Sequence, residues 1–163
     1  METVVTDYYE SLYRFAWSLS RSEEQARDLT QQTYLIFAKK GHTVRDPRSL
    51  KSWLFTTLYR EFLKLARRNK PLETIEPDQL QAFADSTVVH QARQLQGKEA
   101  MQLLQSLDPV FREPLSLFYL DDLSYKEIAE ILNIPIGTVM SRLSRGKQIL
   151  KSRLMENPGN KDT

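Results

Sequence analysis

The stretch Leu123–Lys151, LSYKEIAEILNIPIGTVMSRLSRGKQILK, constrains the fold more than any other part of the chain. Ser124, followed three residues later by Glu127, forms a capping-box pattern that predicts a helix starting at Tyr125. Pro135 predicts the end of this helix, because proline disfavours a helical conformation in the residue before it and has no N–H to donate. A second helix follows at once, so the stretch predicts two helices joined by a very short turn.

The second of these helices carries two stripes of side chains at helical spacing. One stripe is apolar, includes a glycine that permits close helix packing, and is expected to face inward: Val139, Leu143, Gly146 and Leu150. The other stripe combines short hydroxyls with arginines, which suit base edges and phosphates in the major groove: Thr138, Ser141, Arg142 and Arg145. The segment from Met140 to Met155 has five basic residues, including Lys147, and no acid. The pattern favours a DNA-binding helix-turn-helix over a solvent-exposed basic helix.

The C-terminal half also contains a series of short segments that resemble domain 4 of bacterial sigma factors, most closely those of the extracytoplasmic-function (ECF) group. The segments are Leu107-Asp108, Arg112–Leu115, Leu123–Tyr125, Glu127–Glu130 and Gly137–Leu143. The resemblance implies recognition of the promoter −35 element through the residues of the second helix: Thr138, Ser141, Arg142, Arg145 and Lys147.

Composition predicts an all-α, cytoplasmic protein. The chain has 163 residues, enough for one domain or two small helical ones, and only five glycines. It contains no cysteine, which excludes disulfides and thiolate metal sites. No apolar run approaches the roughly 18 residues of a membrane span, so membrane insertion is not expected. His42 and His90 have no partner at a catalytic or metal-binding spacing, so we expect neither an enzyme nor a metal, a cofactor or a small-molecule substrate.

Charge is distributed unevenly, although the formal net charge is only +2. Residues 48–70 are strongly basic, whereas residues 71–108 are acidic and contain two prolines and several glutamines. These shifts predict two small helical domains, 1–70 and 98–157, joined by a flexible acidic linker over 71–97. The polar tail 158–163 is expected to be disordered.

The N-terminal domain is predicted to contain three helices, over residues 4–20, 23–40 and 50–68. The second helix has a stripe of one acid, two amides and a leucine at helical spacing: Asp28, Gln31, Gln32 and Leu35. Spacing alone favours ordinary solvent-exposed surface for this stripe. The run Ala26–Tyr34, however, is similar to the segment of sigma domain 2 that grips the clamp helices of the polymerase largest subunit. That similarity implies that the stripe binds core polymerase, with Gln32 standing where the family usually has glutamate.

The third predicted helix combines a basic stripe with aromatic residues. Its core positions are Leu54, Leu58, Phe62 and Leu65, and its basic stripe is Arg60, Lys64 and Arg67. Phe55 and Tyr59 lie one turn apart, and aromatic rings beside cations suit single-stranded DNA, although these rings would equally fill a core. Trp53-Leu54-Phe55 resembles the sigma segment that melts and recognises the −10 element. The resemblance implies −10 contacts by Phe55, Tyr59, Arg60, Lys64 and Arg67, with Arg60 and Lys64 replacing the family's usual asparagine and aspartate.

The resemblance covers about residues 4–70 and 98–155 and identifies the chain as an ECF sigma factor. It implies three partners: core RNA polymerase, promoter DNA and an anti-sigma factor, since members of this group are usually held inactive by one. The main alternative is a polymerase-independent helix-turn-helix repressor or activator. A third hypothesis is a protein–protein module without DNA binding. The stripe on the second helix discriminates between them, because a repressor does not need it.

Overall fold

The computed structural model describes residues 2–69 and 98–156, and every regular element in these ranges is helical. The α-helices are α1 Glu2–Ser20, α2 Glu23–Lys40, α3 Leu50–Asn69, α4 Lys98–Gln105, α5 Pro109–Tyr119, α6 Tyr125–Leu132 and α7 Ile136–Glu156. Two short 3₁₀ turns, Gly41–Thr43 and Pro47–Ser49, connect α2 to α3. The all-α prediction is confirmed. The predicted linker 71–97 and tail 158–163 lie outside the described residues.

Helices α1, α2 and α3 form an N-terminal domain around aromatic and aliphatic side chains. Its buried apolar residues are Leu12, Phe15, Ala16, Leu19, Ala26, Leu29, Tyr34, Leu54, Phe55, Leu58 and Tyr59. The predicted start of α2 is confirmed, because the Ser22 side chain accepts a hydrogen bond from the Gln25 N–H at 3.3 Å. Leu65, predicted as core, is 39% exposed. It lies in the last turns of α3, where half-buried Phe62 and Leu63 already mark the edge of the core.

Helices α4 to α7 form a C-terminal domain that contains the predicted helix-turn-helix. The capping box is present: Ser124 Oγ accepts from the Glu127 N–H, and Glu127 Oε1 accepts from the Ser124 N–H, both at 3.1 Å. Helix α6 ends at Leu132 and is capped by Asn133, whose left-handed backbone (φ 55°) turns the chain. The Ile134 N–H donates to the Ala129 carbonyl. The tight turn therefore depends on Asn133 as well as on the proline after it.

The inward stripe of α7 is confirmed, since Val139, Leu143, Gly146 and Leu150 are all buried. Gly146 lies directly against α5. A Cβ atom at this position would lie 2.6 Å from Leu115 Cδ1, which is closer than van der Waals contact permits. The glycine therefore allows the two helices to approach more closely than any other residue would.

The two domains pack against each other, which the sequence did not indicate. Helix α1 contacts α4 and α5, and α3 contacts α6. Side chains of the N-terminal domain donate to backbone carbonyls of the C-terminal domain: Arg21 to Gln105 at 2.6 Å and Lys51 to Asp121 at 2.6 Å. We call this the closed arrangement.

Candidate binding surfaces

The outer stripe of α2 is exposed to solvent. Asp28, Gln31, Gln32 and Leu35, which we call the α2 surface, are all exposed, and 58% of Leu35 is accessible. They remain outward because Ala26, Leu29 and Thr33 on the opposite side are buried against the other helices of the domain. A large exposed aliphatic side chain provides an apolar contact, and the carboxylate and two amides beside it can fix the orientation of a bound partner. This arrangement suits a protein partner that presents an apolar patch and a cation.

The basic stripe of α3 is also accessible. Arg60, Lys64 and Arg67, which we call the α3 surface, are exposed, and Lys64 Nζ lies 3.1 Å from Glu61 Oε1. An exposed ion pair of this kind contributes little to stability and leaves the cation available to other partners. Three cations along one helical face can follow a phosphate backbone.

The structure corrects the role predicted for Phe55. Its side chain is completely buried, and its ring centroid lies 5.5 Å from that of Phe15 in α1. Phe55 therefore belongs to the core of the N-terminal domain and has no face available for stacking on a base. The alternative that the sequence left open, an aromatic that fills the core, is the correct one.

Tyr59 is covered by the other domain. It is 9% exposed, and its hydroxyl donates to Glu113 Oε2 of α5 at 2.8 Å. Burial and the neighbouring Glu113 charge raise the pKa of Tyr59 well above its usual value, so the phenol keeps its proton and acts as the donor. Burial also raises the pKa of Glu113 to about 7, although Tyr59 and the nearby arginines act in the opposite direction. In the closed arrangement Tyr59 does not face solvent.

Four residues of α7 form the predicted DNA-binding stripe. Thr138, Ser141 and Arg142 are half-buried, and Arg145 is exposed. The positive charge of Arg142 acts to lower the pKa of Glu113. The Ser141 hydroxyl donates to the Gly137 carbonyl at 3.0 Å. We call Thr138, Ser141, Arg142 and Arg145 the α7 surface.

Lys147 does not belong to the α7 surface. It is 5% exposed, and its ammonium group lies 4.9 Å from the centroid of the Phe118 ring, a cation–π distance. The reason is helical register, because Lys147 follows Leu143 by one turn and therefore points towards the inner side of α7. Its predicted contact with the −35 element is corrected to a packing role.

Sequence reasoning missed two acids at the contact between the domains. In the sequence, Glu113 stands only within the resembling segment Arg112–Leu115, and Asp121 belongs to none of the motifs. Asp121 is buried, and its carboxylate lies 3.9 Å from the guanidinium of Arg14. Burial raises the pKa of Asp121 to about 7. The available signal was that Glu113 is the only acid in α5, PVFREPLSLFY, which is otherwise rich in apolar residues.

Within residues 2–69 and 98–156, no group of three or more His, Asp or Glu side chains is arranged to hold a metal ion. In the same part of the chain, no helix combines the length and the apolar character that crossing a membrane requires.

Comparisons with known proteins find a match for each of the two domains. Residues 4–71 match the family Sigma-70 region 2, and residues 98–150 match Sigma-70, region 4. The ECF RNA polymerase sigma factor SigM of Bacillus subtilis is 32% identical over 146 residues, which cover 89% of each chain. The ECF RNA polymerase sigma factor SigE of Mycolicibacterium smegmatis is 30% identical over 162 residues, which cover 96% of this chain and 62% of SigE.

A solved structure gives the same result. The sigma factor RpoE of Bartonella quintana, crystallised with the anti-sigma factor NepR, superposes with a TM-score of 0.68 at 27% identity, over 95% of this chain and 98% of RpoE. Both sigma-70 regions are therefore present in one chain, in the expected order. The chain belongs to the ECF group of the sigma-70 family of RNA polymerase sigma factors.

Proposed function

We propose that this chain binds core RNA polymerase through the α2 surface and directs initiation at promoters through one DNA-binding surface on each domain. The observation that carries the proposal is the presence of both sigma-70 regions in one chain whose α2 surface is exposed. A polymerase-independent repressor would need the helix-turn-helix alone. Sigma factors are not enzymes in the usual sense, so the chemistry of RNA synthesis belongs to the polymerase, beside which the chain acts in the cytoplasm.

The α2 surface supplies contacts of two kinds. Leu35 offers the apolar contact, and complete burial of a leucine side chain in an interface contributes about 1.5–3 kcal/mol. Asp28 offers a charge that can pair with a basic side chain of the polymerase, and Gln31 can both donate and accept hydrogen bonds. Gln32 carries no charge, so this contact has one ion pair fewer than a surface with glutamate there.

The α7 surface is assigned to the −35 element. Its side chains lie in the N-terminal half of α7, the end that enters the major groove in helix-turn-helix proteins. A bidentate contact between Arg142 or Arg145 and guanine is worth about 1–3 kcal/mol of discrimination against the wrong base. Thr138 and Ser141 add contacts to bases or phosphates.

The α3 surface is assigned to the −10 region. Arg60, Lys64 and Arg67 can follow the phosphates of the opened strand, and Tyr59 lies next to Arg60 on the same helix. Stacking of a base on Tyr59 would contribute about 1–3 kcal/mol, provided that the ring is uncovered. Phe55 is left out of this surface because it is a core residue.

We further propose an anti-sigma factor as a partner. The related RpoE of Bartonella quintana was crystallised with the anti-sigma factor NepR, and its fold matches almost the whole of this chain. A protein that covers the α2 surface would prevent polymerase binding.

The test is a double substitution, Asp28→Ala with Gln31→Ala, assayed by capture of purified core polymerase and by promoter-directed transcription. Both residues are exposed, so the fold should be unaffected. We expect at least a tenfold loss in each assay. Glu130→Ala, which removes an exposed acid on α6, is the matched control and should leave both assays unchanged. Unchanged capture by the double variant would refute the assignment of the α2 surface.

A further inference from the structure

The N-terminal end of α7 exposes two apolar side chains that belong to none of the three binding surfaces. Ile136 is 49% exposed and Met140 is 39% exposed, and they lie one helical turn apart. The exposed residues from 145 to 152 are all polar or basic: Arg145, Gln148, Lys151 and Ser152. The large apolar side chains that α7 exposes therefore lie at its two ends, since Met155 in the last turn is exposed as well.

Met140 borders the α7 surface. It precedes Ser141 in the sequence, and Gly137, which is exposed, lies between Met140 and Ser141 around the helix axis. A Cβ atom at Gly137 would have no neighbour within 4 Å, so this side of α7 is open. The apolar side chain of Met140 and the hydroxyl of Ser141 therefore share one open side of the helix.

The direction of the Met140 side chain suits contact with bases. Side chains of an α-helix lean towards the N-terminus of the helix. Met140 therefore extends towards the first turn of α7, the end that contacts base edges in helix-turn-helix proteins. Methionine is unbranched and flexible, so its side chain can adapt to an irregular surface such as the floor of a groove.

The major groove offers one apolar group to such a side chain, the 5-methyl group of thymine, whereas its other groups are hydrogen-bond donors and acceptors. A protein partner fits the two side chains less well, because a stable protein–protein interface buries about 800 Å² on each partner. The segment from Met140 to Met155 also has five basic residues and no acid, which complements the phosphates of DNA. Size and charge therefore both favour DNA as the occupant.

We propose that Met140 is a specificity-determining residue of α7, which recognises thymine in the −35 element by apolar contact with the 5-methyl group. The proposal rests on the proposed assignment of α7 to the −35 element. Arg142 and Arg145 can select guanine, and Ser141 can meet several kinds of polar base edge. Met140 adds a preference for thymine that these polar side chains do not supply.

The first experiment selects preferred −35 sequences with holoenzyme, assembled from purified core polymerase and the full chain, from a promoter library randomised at the −35 element. The parent protein should retain thymine at one or more positions, on either strand. Met140→Ala should lose that preference at one or more of these positions and keep the preferences at the others. Met140 is partly exposed and alanine is a good helix former, so the substitution should leave the fold intact.

The second experiment isolates the methyl group at the position that Met140→Ala affects. Deoxyuridine in place of thymidine removes the 5-methyl group and keeps every hydrogen-bonding group of the base. The parent holoenzyme should bind the uracil promoter about fourfold more weakly than the thymine promoter, the effect of losing the burial of one methyl-sized group. The Met140→Ala holoenzyme should bind the two promoters about equally.

Met155→Ala is the matched control. It removes another exposed methionine of α7, about 22 Å further along the helix axis, and should keep the thymine preference and the fourfold difference of the parent. Loss of either in Met155→Ala would overturn the proposal, because the effect would not be specific to Met140.

Three other results would also overturn it: a selected −35 sequence without thymine, equal binding of the thymine and uracil promoters by the parent, or an undiminished difference between them in Met140→Ala. In each of these cases the assignment of α7 to the −35 element would stand. A parent holoenzyme that selects no −35 sequence at all would instead refute that assignment, and the role of Met140 with it.

Discussion

The substitution Gly146→Ala tests whether α7 packs on α5 as closely as the structure indicates. A Cβ atom at this position would lie 2.6 Å from Leu115 Cδ1, 3.1 Å from Leu115 Cγ and 3.4 Å from Phe111 Cβ. Leu115 is completely buried, so its side chain cannot swing into solvent to make room. Either α7 moves away from α5 or Leu115 adopts a strained rotamer.

Two opposing effects set the magnitude. Replacing glycine with alanine inside a helix stabilises that helix by about 1 kcal/mol. Inserting a methyl group into a well-packed core typically costs about 1–3 kcal/mol. Because the closest contact is far shorter than van der Waals contact, we place the steric cost near 2 kcal/mol. The free energy of unfolding should therefore decrease by about 1 kcal/mol.

Gly137→Ala provides the matched control in the same helix, since a Cβ atom there would have no neighbour within 4 Å. It should stabilise the protein by about 0.5–1 kcal/mol. Urea unfolding followed by far-UV circular dichroism measures both variants, and Gly146→Ala in a Leu115→Ala background should recover the steric part of its cost. If Gly146→Ala were as stabilising as Gly137→Ala, the close approach of α5 and α7 would be refuted.

Three further predictions concern the helix cap at Ser124, DNA recognition by α7 and the effect of pH. Ser124→Ala removes the capping box and should lower the free energy of unfolding by about 1 kcal/mol, measurable as a lower Tm. Arg142→Ala should narrow the affinity ratio between cognate and scrambled −35 sequences by roughly 5- to 150-fold in holoenzyme titrations, whereas Lys151→Ala should weaken both equally. An equal loss for both sequences with Arg142→Ala would contradict the proposed register. Burial raises the pKa of Glu113 and of Asp121 to about 7, from ordinary values of 4.5 and 3.8, so the folded chain binds protons more tightly than the unfolded chain. The stabilising contribution of these acids should therefore be complete below about pH 4 and be lost as pH rises through 7. Urea unfolding at several pH values measures this, and a pH dependence of the unfolding free energy that is the same in the parent protein and in Glu113→Gln would contradict the buried position of Glu113.

Local features of the chain were predictable because their causes are local. The capping box of Ser124 and Glu127 needs only residues three apart, and the inward stripe of α7 follows from helical spacing. The close packing at Gly146 was predicted for the same reason, because a small residue on an inward stripe permits close approach. The structure supplied the identity of the neighbouring residue, Leu115, which spacing does not give.

Two predictions at the candidate sites were wrong because they rested on residue type and ignored where the residue lies around its helix. Lys147 was grouped with the DNA-binding arginines because it is basic, although its spacing from Leu143 places it on the inner side of α7. Phe55 was grouped with the basic stripe of α3 because aromatic residues often stack on bases, although Leu54 and Leu58, which flank it on the core side, are buried as well. In both cases helical periodicity carried the correct information.

The contact between the domains was not predictable from local patterns, because its partners are far apart in sequence. Tyr59 and Glu113 are separated by 54 positions. Each residue taken alone has an ordinary explanation, as an aromatic on a basic helix and as an acid within a family motif. A carboxylate on an otherwise apolar stretch of α5 nevertheless requires compensation when it is shielded from water. That requirement was visible in the sequence. The tyrosine hydroxyl that meets it lies on the other domain, so the folding of either domain alone does not explain how Glu113 is tolerated in α5.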